Sequence, residues 1–277
     1  MSQDLGERDS SRAAGTALGS PPAVVSALAT TPVKGLRICV RDEVMLERTG
    51  VADNRRFYLI DERARMVNGK RIGVLSAVRA DFDADALQLT MSFPDGSRVS
   101  DVVQIEGAVQ TRFFSRRPTA HLVAGPWSQA LSDYTGTPLR LVQADPEEGG
   151  VDRGPAGAVS LISEASVARL EAVAEGRAVD SRRFRMLVEV AGPEAHEEDE
   201  WVGRSARIGE ALVAFRGHVG RCLVTSQDPD TGIVDLPTLE LLSYRRGVTT
   251  TEPLAFGVFG EVLEPGRIRI GDALVPE

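Results

Sequence analysis

The sequence predicts a mainly β (α+β) protein built from two β-rich halves, and three observations carry that expectation. Gly (27) and Pro (15) are plentiful in a chain of 277 residues, which favours many short strands and turns over long helices. Apolar residues alternate at a period of two in segments such as ALQLTMSF (86–93), which stop at turn signals such as PDG (94–96). Helical periodicity is confined to a few short stretches.

In chain order, residues 1–22 are polar and small and lack the charged start and apolar core of a signal peptide. They predict a disordered tail on a cytoplasmic protein. No run of about 18 apolar residues exists, so no transmembrane helix is expected. VVSALATTPV (24–33) reads as a strand and a turn at Pro32, and RRFYLID (55–61) as a second strand. VNGKR (67–71) carries an Asn-Gly turn signal, and VVQIEG (102–107) continues the strands. WSQALSDYTG (127–136) is helical, with Trp127, Leu131 and Tyr134 on one face and Gly136 to close it. PLRLVQA (138–144) is a strand, and the acidic, Gly-rich stretch 145–157 is a loop between two domains, 23–144 and 145–277.

SEASVARLEAVAEG (163–176) has the clearest helical pattern, with Ser163 as its cap and Gly176 as its end. FRMLVEV (184–190) reads as a strand, and AGPEAHEEDEWVG (191–203) as an acidic loop reaching Trp201. ALVAFRGHVGRCLVTS (211–226) is strand-like and broken by Gly217 and Gly220. DPDTG (228–232) is a turn, LPTLELLSYRR (236–246) a helix after Pro237, and 256–275 two strands around a Pro-Gly turn.

The net charge of −8 argues against nucleic acid as the main partner, because a phosphate backbone wants a basic face. It leaves room for one small anion in a local basic pocket. Two cysteines, Cys39 and Cys222, and three scattered histidines provide no disulfide framework, no four-cysteine metal site and no HExxH pattern. Any chemistry here uses few protein ligands, or a cofactor that brings its own. Cys222 follows two glycines, and thiolate is a soft ligand suited to a thiophilic metal. At strand spacing Gly220 and Cys222 share a face. Cys222 also reads as a small buried hydrophobe, the commoner fate of a free cysteine.

RCLVTSQDPDTG (221–232) resembles the cysteine motif of MOSC domains, especially the mitochondrial amidoxime-reducing components and their bacterial relatives. Further matches run in order along the chain: Pro32-Val33-Lys34, GVADNRRFYLID (50–61), LISEASVARL (161–170), RRFRMLVEV (182–190), EDEWVGRSARIG (198–209), PTLELLSYR (237–245) and the terminal Phe256-Gly257 and Gly271-Asp272.

The resemblance implies an N-terminal β-barrel-like domain followed by a MOSC β-barrel domain, with a groove between them for a mononuclear molybdenum cofactor (Mo-molybdopterin). By similarity, Cys222 is the catalytic cysteine and the protein ligand to the metal. Lys34, Arg55 and Arg183 hold the pterin and its phosphate, Ser163 and Ser166 meet the cofactor at a helix start, and Gly220 and Arg221 are further cofactor-binding residues. Cations beside a helix N-terminus make a sound receptor for a phosphate dianion. Each residue also has a plainer use. Lys34 reads as a solvated turn lysine and Ser163 as a helix cap, and only one of Arg55 and Arg56 faces inward if both lie on a strand. Arg182, Arg183 and Arg185 share that ambiguity.

Gly35 stands where relatives often carry Ser or Ala, Asn54 replaces an Asp, Gly220 replaces a Ser, and Asn68-Gly69-Lys70 replaces a Thr-Gln-Arg stretch. The resemblance implies an oxidoreductase that reduces N-hydroxylated or similar N-oxygenated small molecules. Its electrons would come from a separate donor protein of ferredoxin, flavoprotein or cytochrome type. Two rival functions are a cofactor or sulfur carrier working with a pyridoxal-phosphate-dependent sulfurase, and a scaffold that has lost its cofactor. No nucleic acid and no membrane is expected as partner.

Overall fold

The computed structural model describes residues 22–113, 115–145 and 154–277; the expected tail, but for Pro22, and much of the expected inter-domain loop lie outside them. Most elements are strands, and three α-helices occur among the described residues.

The C-terminal half is a closed barrel. Its strands run in the order Val188–Ala191, Val159–Ser163, Ala255–Glu264, Ala211–Gly220, Ser205–Ile208, Ala273–Pro276 and Ala23–Thr30. The last of these pairs back onto Val188–Ala191, so seven strands close the ring. Cys39–Arg41 adds on beside Ala23–Thr30. Closure leaves few sheet edges exposed. The interior holds Val25, Leu28, Leu161, Val188, Val213, Phe215 and Val258, all buried. The strand Ala23–Thr30, from the N-terminal side of the sequence, thus belongs to this barrel. Val44, Leu46 and Val51 share its core through strand Glu43–Glu47, which pairs with Gly266–Arg269. The expected contiguous division at 144/145 therefore differs from the packing, because non-local pairing leaves no trace in local periodicity.

The N-terminal half has a five-stranded sheet, in the order Gln104–Gln110, Thr119–Ala124, Arg140–Ala144, Phe57–Ile60, Met66–Val67, and a three-stranded meander over 79–102. Its core gathers Phe57, Leu59, Leu89, Met91 and Trp127. Burying each such side chain contributes roughly 1.5–3 kcal/mol. Trp127 begins the helix Trp127–Thr135 and donates its indole N–H to the Leu89 carbonyl at 3.1 Å. Gly136, at φ 64, ends that helix in the left-handed conformation open to glycine.

The expected helix over 236–246 is a single α turn, Thr238–Leu241, continued by 3-10 geometry over Leu242–Arg245. The C-terminal segment contains three strands where two were expected. The strand expected over 184–190 begins only at Val188, and Ser181–Phe184 is a 3-10 turn.

Candidate functional site

The two halves meet over a cavity of about 390 Å³. Residues 34, 35, 55, 68–70 and 76 form one wall, and 157, 160, 183–186, 219–222, 224, 225 and 259 the other. Among the described residues, six that line the cavity are cationic (Lys34, Arg55, Lys70, Arg183, Arg185 and Arg221), and none is Asp or Glu. The chain has two lysines, and both are here. A chain of net charge −8 has thus gathered positive charge at one concave place, the local arrangement that binds an anion.

Backbone pairing brings Lys34 and Arg55 together. Lys34 N donates to Phe57 O at 2.8 Å, Phe57 N to Pro32 O at 2.9 Å, and Arg55 N to Thr31 O at 2.6 Å. Arg55 lies before its strand at φ 55, so the opposite-faces argument does not apply to it. Arg55 lines the cavity and donates to the Arg185 carbonyl at 2.7 Å, while Arg56 stacks over Phe82 at 5.0 Å. Gly35 has φ 95, where a Ser or Ala would be strained. Gln227 Nε2 donates to the Gly69 carbonyl at 2.8 Å and ties the two walls.

The strand carrying Cys222 toward the cavity stops at Gly220, earlier than expected. Cys222 is half-buried at the start of the 3-10 turn Leu223–Ser226, and its carbonyl accepts from Thr225 N (3.0 Å) and Thr225 Oγ1 (2.9 Å). Arg183 braces this turn from beneath: its Nη1 donates to Thr225 O and Gln227 O, both at 3.2 Å, and it pairs with Asp235 at 3.2 Å. It is only 4% exposed, and its Nε is buried without a partner. Arg221 donates to Phe256 O at 2.8 Å and Phe184 O at 2.9 Å, with its guanidinium over both rings. A Cβ at Gly220 would overlap the Glu252 carboxylate, which gives the missing serine a steric reason.

Arg185 and Lys70 also line the cavity, although the sequence reading does not assign either to the site. Arg185 adopts φ 56 and donates Nη2 to the Leu36 carbonyl at 2.6 Å, across the junction of the halves. Its signal was present in the run of three arginines at 182, 183 and 185. Arg182 is engaged by Asp180 and Asp230 and does not line the cavity.

Ser163 and Ser166, expected at the cofactor, lie elsewhere; this corrects the sequence reading. Neither lines the cavity, and both are fully buried. Ser163 caps helix Glu164–Val173 by accepting from Ser166 N at 3.1 Å. Both hydroxyls donate to the fully buried Glu198, at 2.9 and 2.7 Å. Burial pushes the Glu198 carboxyl above its usual range. His196 Nδ1 lies 3.3 Å from Ser166 Oγ, and Nε2 3.2 Å from the Tyr244 hydroxyl. Burial, helped by the Arg245 charge, lowers the His196 pKa to about 4. Ser166 spends its proton on Glu198, so neutral His196 donates from Nδ1 and accepts Tyr244 O–H at Nε2. Cys39 is buried, and burial pushes its thiol up, as fits an inert cysteine.

Comparison with known proteins fits this architecture. The MOSC N-terminal beta barrel domain matches residues 22–130, and the MOSC domain matches residues 148–275. The chain is a MOSC domain protein.

This MOSC protein is 36% identical over 122 residues to mitochondrial amidoxime reducing component 2 of Rattus norvegicus, covering 41% of this chain and 35% of that protein. It is 32% identical over 120 residues to mitochondrial amidoxime-reducing component 1 of Homo sapiens, covering 40% and 34%. The matches thus span about a third of those relatives' length. Among solved structures, the YUAD protein from Bacillus subtilis aligns over 91% of this chain and 93% of its own, with a TM-score of 0.46 and 12% identity. Among the described residues, no group of three or more His, Cys, Asp or Glu is placed to hold a metal ion, and no helix is long and apolar enough to cross a membrane.

Proposed function

We propose that this MOSC protein is a molybdenum cofactor-dependent oxidoreductase that reduces N-hydroxylated or similar N-oxygenated small molecules. One observation carries the reading: a half-buried thiol, Cys222, opens onto a cavity that, among the described residues, has six cationic lining residues and no carboxylate. A cofactor that brings its own sulfur ligands and a phosphate asks the protein for one soft donor and several cations, and this cavity provides that donor set. Glycines 35, 69, 157 and 220 keep parts of both walls free of side chains, which suits a broad planar ligand.

The cofactor supplies the two-electron redox chemistry when bound. Cys222 would be its metal ligand. Lys34, Arg55, Lys70 and Arg185 would receive the phosphate and the polar edge of the pterin. Arg183 and Arg221 spend most of their donors on backbone carbonyls around Cys222, so their part is to hold the thiol in place. Phe184, Met186, Val219 and Phe259 give the substrate an apolar boundary that excludes water.

The test is metal content together with turnover. Protein from a host that makes the cofactor should carry about one molybdenum per chain and reduce an aryl amidoxime with reduced methyl viologen as donor. Metal-free protein that traps a persulfide on Cys222 without turnover would identify a carrier instead.

A further inference from the structure

Reduction of an N-hydroxylated substrate takes up two electrons and two protons and yields the N–H compound and water. A one-electron carrier must therefore dock and leave twice per turnover. We propose that a basic apron on the N-terminal half, beside the cavity, docks a small acidic one-electron carrier protein; this rests on the function proposed above.

The apron is built from two adjoining segments. One presents Arg63, Arg65, Lys70 and Arg71, all exposed. The other presents Arg112, Arg116 and Arg117, also exposed. Met66 N donates to Arg112 O at 3.0 Å and Arg112 N to Ala64 O at 2.8 Å, so the segments lie side by side. The carboxylates within them are Asp61 and Glu62. Asp61 is buried and held by Arg65 at 2.9 Å and Arg71 at 3.0 Å. Seven cations against two carboxylates leave +5 within these two segments, in a chain whose total is −8.

The apron reaches the cavity. Lys34 and Arg116 both sit over the Phe113 ring, at 5.6 and 5.3 Å, and Lys34 and Lys70 line the cavity. Among the described residues of both segments, no large apolar side chain is exposed. A face whose described residues expose charge and no large apolar side chain speeds encounter more than it prolongs residence, which suits a carrier that must leave after each electron. It suits a membrane less well, because stable attachment also needs apolar insertion.

The test uses the full chain loaded with cofactor and a plant-type ferredoxin as probe. Arg63→Glu, Arg112→Glu and Arg117→Glu are combined; none of the three lines the cavity. Ferredoxin-supported reduction at about 10 mM salt should fall about 10- to 100-fold, and the wild-type rate should fall about tenfold between about 10 and 150 mM salt. The rate with reduced methyl viologen should stay unchanged. If the triple variant melts early, Arg117→Glu alone should give about a threefold loss. Ferredoxin binding that is insensitive to salt, or undiminished by the reversals, overturns the proposal. Binding to phosphatidylglycerol vesicles that the reversals abolish, with ferredoxin unaffected, assigns the apron to a lipid surface instead. If neither donor supports reduction, the enzymatic reading fails, and ferredoxin binding to wild type and variant still decides the apron.

Discussion

The cavity and the Ser163–Ser166–Glu198–His196 cluster are both polar, and they dispose of their polar groups in opposite ways. In the cluster, hydroxyls, imidazole and carboxylate are matched to one another inside the protein. In the cavity, positive side chains converge on open volume, with no carboxylate among the described residues of the wall. A matched polar group is part of the fold, whereas like charges gathered around a space make a place that favours an anion. The family resemblance put residues from both regions into one site, and the geometry separates them.

The largest expected effect belongs to the cavity. Cys222→Ser should lower molybdenum retention and amidoxime reduction by at least about tenfold, while stability changes by less than about 0.5 kcal/mol. Metal analysis beside a thermal melt checks this; unchanged turnover would remove the proposed role of the thiol. Glu198→Ala should do the reverse. It strands two buried hydroxyls and should cost about 3 kcal/mol in urea unfolding, with molybdenum content of the folded protein unaltered. If that variant folds normally but loses the metal, the separation of the two regions is wrong.

A smaller effect is set by pH. His196 is neutral in the fold down to about pH 4, whereas its unperturbed value is 6.5. In that window the unfolded chain binds more protons, so this contribution is complete above 6.5 and is lost as pH falls toward 4. The ring is only half-buried, so the loss should be about 1 kcal/mol. Glu198 acts with the opposite sign: its raised pKa favours the fold at low pH, and that gain is lost as pH rises through the folded value. His196→Gln should therefore reverse the slope of stability against pH between 4 and 6.5, and urea melts across that range would show it. The smallest effect tests the wall. Gly220→Ser, which restores the residue common in relatives, should cost about 1 kcal/mol by displacing the Glu252 carboxylate, and less in an Glu252→Ala background.

Much of this was legible in the sequence. The turn at 67–71, the helix Trp127–Thr135 closed by Gly136 and the helix capped by Ser163 follow from local rules. Lys34, Arg55, Arg183, Gly220, Arg221 and Cys222 all reach one cavity. Two kinds of information were not legible. Left-handed backbone at Arg55 and Arg185 breaks the alternation on which strand reasoning depends, so the inward-facing arginines could not be sorted by parity. A capping serine has the same local pattern whether a phosphate or a buried carboxylate lies beyond it. Glu198 is 35 residues from Ser163, inside an acidic stretch that reads as solvated loop.

The placement of Lys34 and Lys70 has a practical corollary. An amine-directed acylating reagent meets side-chain targets at these two positions alone, so intact mass after brief labelling would report whether the cleft is filled. Nature has in effect left this chain with a built-in occupancy gauge, readable without a chromophore and before any substrate is known.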